Sequence, residues 1–95
     1  MIEAAQVRAA RALIGWSQTK LAETAGVSLS IVERFEAGAP EPIADEAVAK
    51  MRAALEAAGV VFLPKDDGGG IGVRLREALE GEYIGWNDLN ASNDD

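Results

Sequence analysis

The sequence predicts a mainly α-helical protein, with four helices followed by a β-hairpin and a C-terminal tail. Apolar residues recur at spacings of three and four over most of residues 4–58, which is the helical period. After Gly59 the pattern changes to the alternation of a strand. Alanine is abundant and aromatic residues make up only 5% of the 95, which suits a small helical domain with a modest core.

The composition excludes several classes of protein. The chain has no cysteine and no histidine, so it offers neither a disulfide, nor a thiolate or imidazole metal site, nor the usual general base. No apolar run approaches the roughly 20 residues that span a bilayer, and the N-terminus lacks the layout of a signal peptide. The glycine-rich run at 68–72 precedes a strand and not a helix, which argues against a nucleotide loop. We expect a cytoplasmic protein that is not an enzyme and needs no cofactor or metal.

The net charge of −7 is unevenly distributed along the chain. Residues 1–38 carry four basic and four acidic side chains, which sum to zero. Residues 77–95 carry six acids and no base. Most of the negative charge is therefore predicted to lie in a C-terminal tail.

The first predicted helix spans Ala4 to Ile14. Its apolar side falls at helical spacing, on Val7, Ala10, Leu13 and Ile14. Gly15 ends this helix, and we expect Trp16 to pack into the core across the base of the next one.

Residues 18–36 predict two short helices joined by a tight turn. Ser17 and Ser28 stand where N-caps would begin them, and Gly26 can take the positive φ that redirects the chain. The inner positions at helical spacing are Leu21, Ala25, Val32 and Phe35. These features predict a helix-turn-helix, whose second helix is built to enter a DNA major groove. The alternative is an ordinary pair of helices that binds nothing.

The fourth and longest helix is predicted over Ile43 to Ala58, with Ala44 and Ala58 at the ends of its apolar stripe. A strand follows at 60–63, and a second at 71–76 has an apolar face of Ile71, Val73 and Leu75. An isolated β-hairpin is only marginally stable in water, so its apolar face has to be covered. A second copy of the hairpin is an obvious candidate for this cover.

The spacing of the helix-turn-helix residues resembles the XRE family, which includes the phage repressors and Cro. The matching positions are Gln18, Ala22, Gly26, Val27, Val32 and Phe35. The resemblance implies a four-helix, lambda-repressor-like domain that binds double-stranded DNA. It also implies a buried ion pair between Arg11 and Glu36 that fixes helix 1 against helix 3; the alternative is two unrelated surface charges.

The resemblance further implies that the start of helix 2 approaches the phosphates while the first turns of helix 3 meet base edges. Gln18 would lie near a phosphate or orient a neighbour, and Ser30 and Arg34 can hydrogen-bond to bases. Leu29 offers only apolar contact, where the family commonly has glutamine or arginine. The candidate DNA-binding residues are Ser17, Gln18, Ser28, Leu29, Ser30, Glu33 and Arg34.

The chain is predicted to divide into a DNA-binding domain at 1–59, a dimerising hairpin at 60–76 and an acidic, partly disordered tail at 77–95. Two functions remain open. The first is a sequence-specific transcriptional regulator, such as a repressor, acting as a homodimer. The second is a protein-interaction module, such as an antitoxin or co-regulator, that contacts a protein partner through the tail. Exposed Leu29 and Ile31 and the acidic tail favour the second hypothesis, and the helix-turn-helix spacing favours the first.

Overall fold

The computed structural model describes residues 1–77, so the predicted tail lies outside the described residues apart from Glu77. The elements in order are α1 Ala4–Ile14, α2 Gln18–Ala25, α3 Leu29–Glu36, α4 Asp45–Ala57, β1 Val60–Leu63 and β2 Gly72–Leu75. This arrangement confirms the predicted fold class, four helices followed by a two-stranded antiparallel hairpin. Within 1–77 the structure has no helix with the length and apolarity that crossing a membrane requires.

One hydrophobic core lies between the four helices and the inner face of the hairpin. Its largest fully buried side chains are Leu21, Met51, Leu55, Val7, Val32 and Val60. Each such side chain contributes about 1.5–3 kcal/mol when it is removed from water. Because Val60 and Phe62 belong to the same cluster as the helical residues, the hairpin shares the core of the helices.

The predicted caps of the two short helices are present. The Ser17 hydroxyl accepts a hydrogen bond from the Lys20 backbone N–H at 3.0 Å, and the Ser28 hydroxyl accepts one from Ile31 at 3.2 Å. Gly26 ends α2 with φ of 76°, in the left-handed backbone region that residues with a Cβ rarely adopt. The turn between α2 and α3 therefore has the geometry that the sequence predicts.

The fourth helix is shorter than predicted, because it begins at Asp45 and ends at Ala57. Ala44 is its N-cap, and its ψ of 137° is not helical, so the helix begins only at the next residue. Ile43 precedes the helix and packs against the core. Ala44 and Ala58, predicted on the apolar stripe, are both exposed.

The hairpin differs from the prediction in what covers its apolar face, since Val73 of that face packs on the chain's own core. Val60 pairs with Leu75 and Phe62 with Val73, and this face packs on the chain's own α1 and α4. Ile71 lies before β2 and is 45% exposed, so it does not extend the predicted apolar face. The helices of the same chain thus supply the cover that was expected from a second copy.

Leu13 was predicted to face the core, but its side chain is 39% exposed at the end of α1. At 3.6 residues per turn, Leu13 lies about 120° around the helix from Val7, at the margin of the apolar stripe. Trp16 packs against the core as expected, although it is only half-buried.

Candidate nucleic-acid interface

A buried ion pair joins α1 to the end of α3. The Arg11 Nε donates to Glu36 Oε2 and its Nη2 donates to Glu36 Oε1, both at 2.7 Å. The Glu36 side chain is only 3% exposed and that of Arg11 is 20% exposed. This two-pronged geometry is the strongest form of a guanidinium–carboxylate contact, and it confirms the predicted pair.

Three further hydrogen bonds surround the pair, and one of them reaches the beginning of α2. The Gln18 Nε2 donates to Glu36 Oε1 at 3.0 Å, and the Arg11 Nη1 donates to the Trp16 carbonyl at 3.0 Å. Arg8, one turn before Arg11, donates to the backbone carbonyl of Glu36. The start of α2 and the end of α3 are therefore fixed to the same face of α1.

The environment of Glu36 favours its charged form. Burial alone raises the pKa of this carboxyl, but the hydrogen bonds from Arg11 and Gln18 and the nearby charges of Arg11 and Arg8 outweigh that effect. The pKa of Glu36 consequently lies below its ordinary value. The hydrogen bond to Glu36 likewise raises the pKa of Arg11, against the opposing effect of burial.

The outward side of α3 carries most of the candidate DNA-binding residues. Val32 and Glu36 are buried on the inner side of this helix. The candidate residues of α3 and its cap that are exposed to solvent are Ser28, Leu29, Ser30, Glu33 and Arg34. The structure therefore brings these five together at the surface, where a duplex could reach them.

The two candidates at the start of α2 have structural partners of their own. Ser17 is exposed and caps the helix, while Gln18 is half-buried with its amide on Glu36. Gln18 thus orients a neighbour, one of the two roles expected of it; its approach to a phosphate stays a prediction. Lys20 lies one turn later, with its Nζ 5.7 Å from the centre of the Trp16 ring. This places a positive charge on the same exposed end of α2.

Ile31 departs from the expectation that it would be exposed beside Leu29. It is half-buried and packs against the core, whereas Leu29 is 40% exposed. Ile31 lies one turn before Phe35, which also packs against the core, whereas Leu29 lies at the open N-terminal turn. Of the two apolar residues expected at the surface of α3, only Leu29 is therefore exposed.

Sequence reasoning missed Gln6, which is 4% exposed and joins α1 to the hairpin. Its Oε1 accepts from the Glu3 N–H at 2.8 Å, while its Nε2 donates to the carbonyls of Leu63 at 3.2 Å and Gly72 at 3.0 Å. The spacing of Glu3 and Gln6 resembles a capping box and could have signalled the first contact. No sequence pattern near Gln6 predicts its two hydrogen bonds to the hairpin, because the acceptors lie 57 and 66 residues away.

Comparison with known families identifies the type of domain. A helix-turn-helix family model, HTH_3, matches residues 7–56, which is more than half of the 95 residues. The matched region contains the ion pair, both short helices and most of α4. A search of curated proteins found no match. Domains of this type bind DNA and are typical of regulators that are not enzymes.

Proposed function

The chain belongs to the XRE-type helix-turn-helix family, and from that premise we propose that it is a sequence-specific DNA-binding transcriptional regulator that acts as a homodimer. It would have no enzymatic activity of its own. The cytoplasmic location expected from the sequence stays a prediction, as does the division into functional segments at residues 59 and 76.

The observation that carries this proposal is the way in which α3 is held. Its inner side is anchored by Val32 in the core and by Glu36 in the ion pair with Arg11. Its outer side presents hydroxyl groups, a carboxylate and a guanidinium to solvent. A rigidly held helix with short polar side chains at its N-terminal turn is suited to reading base edges in a major groove.

The roles proposed for individual residues follow from their chemistry. Arg34 can donate two hydrogen bonds to a guanine or one to a phosphate, and Ser30 can donate to or accept from most bases. Glu33 can accept from a cytosine, and Leu29 can contact a thymine methyl. Ser17, Gln18 and Ser28 lie at helix N-termini, where backbone N–H groups favour phosphate oxygens.

The charge of the surface favours a dimer over a monomer on DNA. Residues 1–77 contain nine basic and eleven acidic side chains, and each missing phosphate contact lowers affinity. Two copies would double the contacts and read two half-sites roughly 34 Å apart. The strands of the hairpin pair only with each other within residues 1–77, so an outer strand edge can accept a strand of a second copy.

Selection of bound sequences from a random duplex pool, with purified protein, tests the proposal. We expect enrichment of one motif with two-fold symmetry. Recovery of no enriched sequence would favour the second candidate function, a protein-interaction module such as an antitoxin or co-regulator. The exposed Leu29 is the observation that supports that alternative.

Arg34→Ala should weaken binding to the selected site. Loss of a base contact costs about 1–3 kcal/mol, or roughly 5- to 150-fold in Kd, and relaxes the preference at one base pair. The matched control is Lys50→Ala, which removes the same charge from the exposed side of α4. Fluorescence anisotropy with a labelled duplex measures both variants. Equal affinity and equal sequence preference in Arg34→Ala and wild type would show that α3 does not read this duplex.

The homodimer has its own test. Sedimentation at tens of micromolar should give twice the 10.0 kDa of one chain. Val61 pairs with Arg74 on the outer face of the hairpin, so Val61→Glu keeps a favourable cross-strand pair within one chain. Because the two copies would then repel each other, it should shift the mass to that of a monomer without changing the helical signal. Ala53→Glu adds the same charge on α4 and should stay dimeric. Val73 is unsuitable for this test because it packs against the chain's own core. A monomeric wild type would contradict the dimer.

A further inference from the structure

An open groove of about 720 Å³ lies where the C-terminal ends of α1 and α4 meet the end of β2. One wall is the last turn of α1, residues 12–15, and the other is the last turn of α4 with the two residues after it. The groove is lined by Ala12, Leu13, Ile14, Gly15, Ala57, Ala58, Gly59, Leu75, Arg76 and Glu77. It lies outside the proposed DNA-binding residues.

The lining combines apolar side chains with backbone acceptors. Leu13 projects into solvent with 39% of its surface exposed, and Leu75 is half-buried beside it. Ala12, Ala57 and Ala58 have small side chains, so the two helices form shallow walls.

Two helix C-termini meet at this groove, and their last carbonyl groups have no partner inside the helix. The carbonyls of Arg11 and Glu56 accept from Trp16 and Gly59, so the acceptors left for an occupant are those of the final residues. A suitable occupant would therefore offer large apolar side chains that also carry hydrogen-bond donors.

The sequence that follows Glu77 has this chemistry. Glu77 itself lines the groove, so the next residues of the chain begin at its rim. Among the eighteen residues that follow, the large apolar side chains are Leu79, Tyr83, Ile84, Trp86 and Leu89. Tyrosine and tryptophan bury large apolar surfaces while their O–H and N–H groups donate to acceptors such as carbonyls.

We propose that residues 78–89 of the same chain dock in this groove, with Leu79 and the aromatic side chains of Tyr83 and Trp86 packed against Leu13 and the alanine-rich helix ends. Two residues of extended chain span about 7 Å, so Leu79 can reach the groove from Glu77 without a linker. A segment tethered this closely has an effective concentration in the millimolar range, which favours the same chain over a second copy. The exposed guanidinium of Arg76, held by the Glu56 carbonyl at 2.7 Å, lies at the rim as a partner for the acids of the segment.

Trp86 makes the proposal measurable in the full-length chain. The protein has two tryptophans, so Trp16→Phe leaves Trp86 as the only one. In this background we expect the Trp86 emission to be blue-shifted and its quenching by acrylamide to be several-fold slower than that of a free tryptophan analogue. Leu13→Asp should shift the emission to the red and restore fast quenching. Leu29→Asp is the matched control, because Leu29 is equally exposed but lies on α3.

A second pair of variants keeps the test valid if Leu13→Asp disturbs folding, which circular dichroism would reveal. Ala57→Arg fills the groove from α4, whereas Ala53→Arg places the same side chain on α4 outside the groove. Release of Trp86 in Ala57→Arg but not in Ala53→Arg supports docking. Fast quenching of Trp86 in the parent protein would overturn the proposal. Protection of Trp86 that disappears on dilution would also overturn it, because the occupant would then be a second copy.

Discussion

Glu36→Gln should lower the free energy of unfolding by about 3 kcal/mol, near the lower end of the range for breaking a buried ion pair because Arg11 keeps partial access to water. The neutral amide keeps one acceptor oxygen in place of two, and it leaves the Arg11 guanidinium without a compensating charge. It also places an N–H group where Glu36 accepts from Arg11 and Gln18. Urea melts followed by circular dichroism measure the difference.

Glu33→Gln is the matched control for this experiment. Glu33 lies on the same helix but is exposed, so its neutralisation should change stability by less than about 0.5 kcal/mol. Equal unfolding midpoints for Glu36→Gln and wild type would show that the ion pair does not stabilise the fold.

The same pair predicts a direction for the effect of pH. The pKa of Glu36 is lower in the folded chain than in the unfolded one, where it is about 4.3. The folded state therefore binds fewer protons, so the stabilising effect is complete above the unfolded pKa and is lost as the pH falls through the folded pKa. The stability gap between wild type and Glu36→Gln should thus narrow below about pH 4. A gap that stays constant down to pH 2 would contradict the lowered pKa.

Gln6→Glu should have the second largest effect, a loss of at least about 2 kcal/mol at neutral pH. The substitution keeps the shape of the side chain but replaces the donor of two hydrogen bonds with a carboxylate oxygen facing the carbonyls of Leu63 and Gly72. Each buried group left unsatisfied costs about 1–3 kcal/mol, and a buried charge costs more. Urea melts again provide the measurement.

Ala9→Glu provides the control for Gln6→Glu. It introduces the same side chain on the exposed side of α1 and should leave stability nearly unchanged. If the two variants unfolded at the same urea concentration, the contacts of Gln6 with the hairpin would have no role in stability.

Local signals predicted much of the helical part of this fold. Ser17, Ser28 and Gly26 act through bonds to residues only three or four positions away, so their roles can be read from the sequence. The Arg11–Glu36 pair spans 25 residues and was predicted only through the family resemblance. The positions proposed to read DNA also came from that resemblance and remain predictions.

The incorrect predictions concern residues whose exposure depends on tertiary packing and not on the local sequence. Leu13 lies at the margin of the apolar stripe of α1, and periodicity within one helix does not show how far the core extends around it. The cover of the Val60, Phe62 and Val73 face by α1 and α4, in place of a second copy, also depends on tertiary packing. Gln6 was overlooked because a polar residue on a helix is usually assumed to face solvent.

The contacts of Gln6 also have a consequence for the order in which a newly made chain can become complete. Gln6 is 57 residues from Leu63 and 66 residues from Gly72. At a synthesis rate of about 5–20 residues per second, roughly 3 to 13 s separate the appearance of Gln6 from that of Gly72. During that interval α1, α2, α3 and α4 all emerge, while the buried amide of the first helix still lacks its acceptors. Although the first turn of α1 is made before the other helices, it is therefore among the last parts of residues 1–77 to reach its final environment.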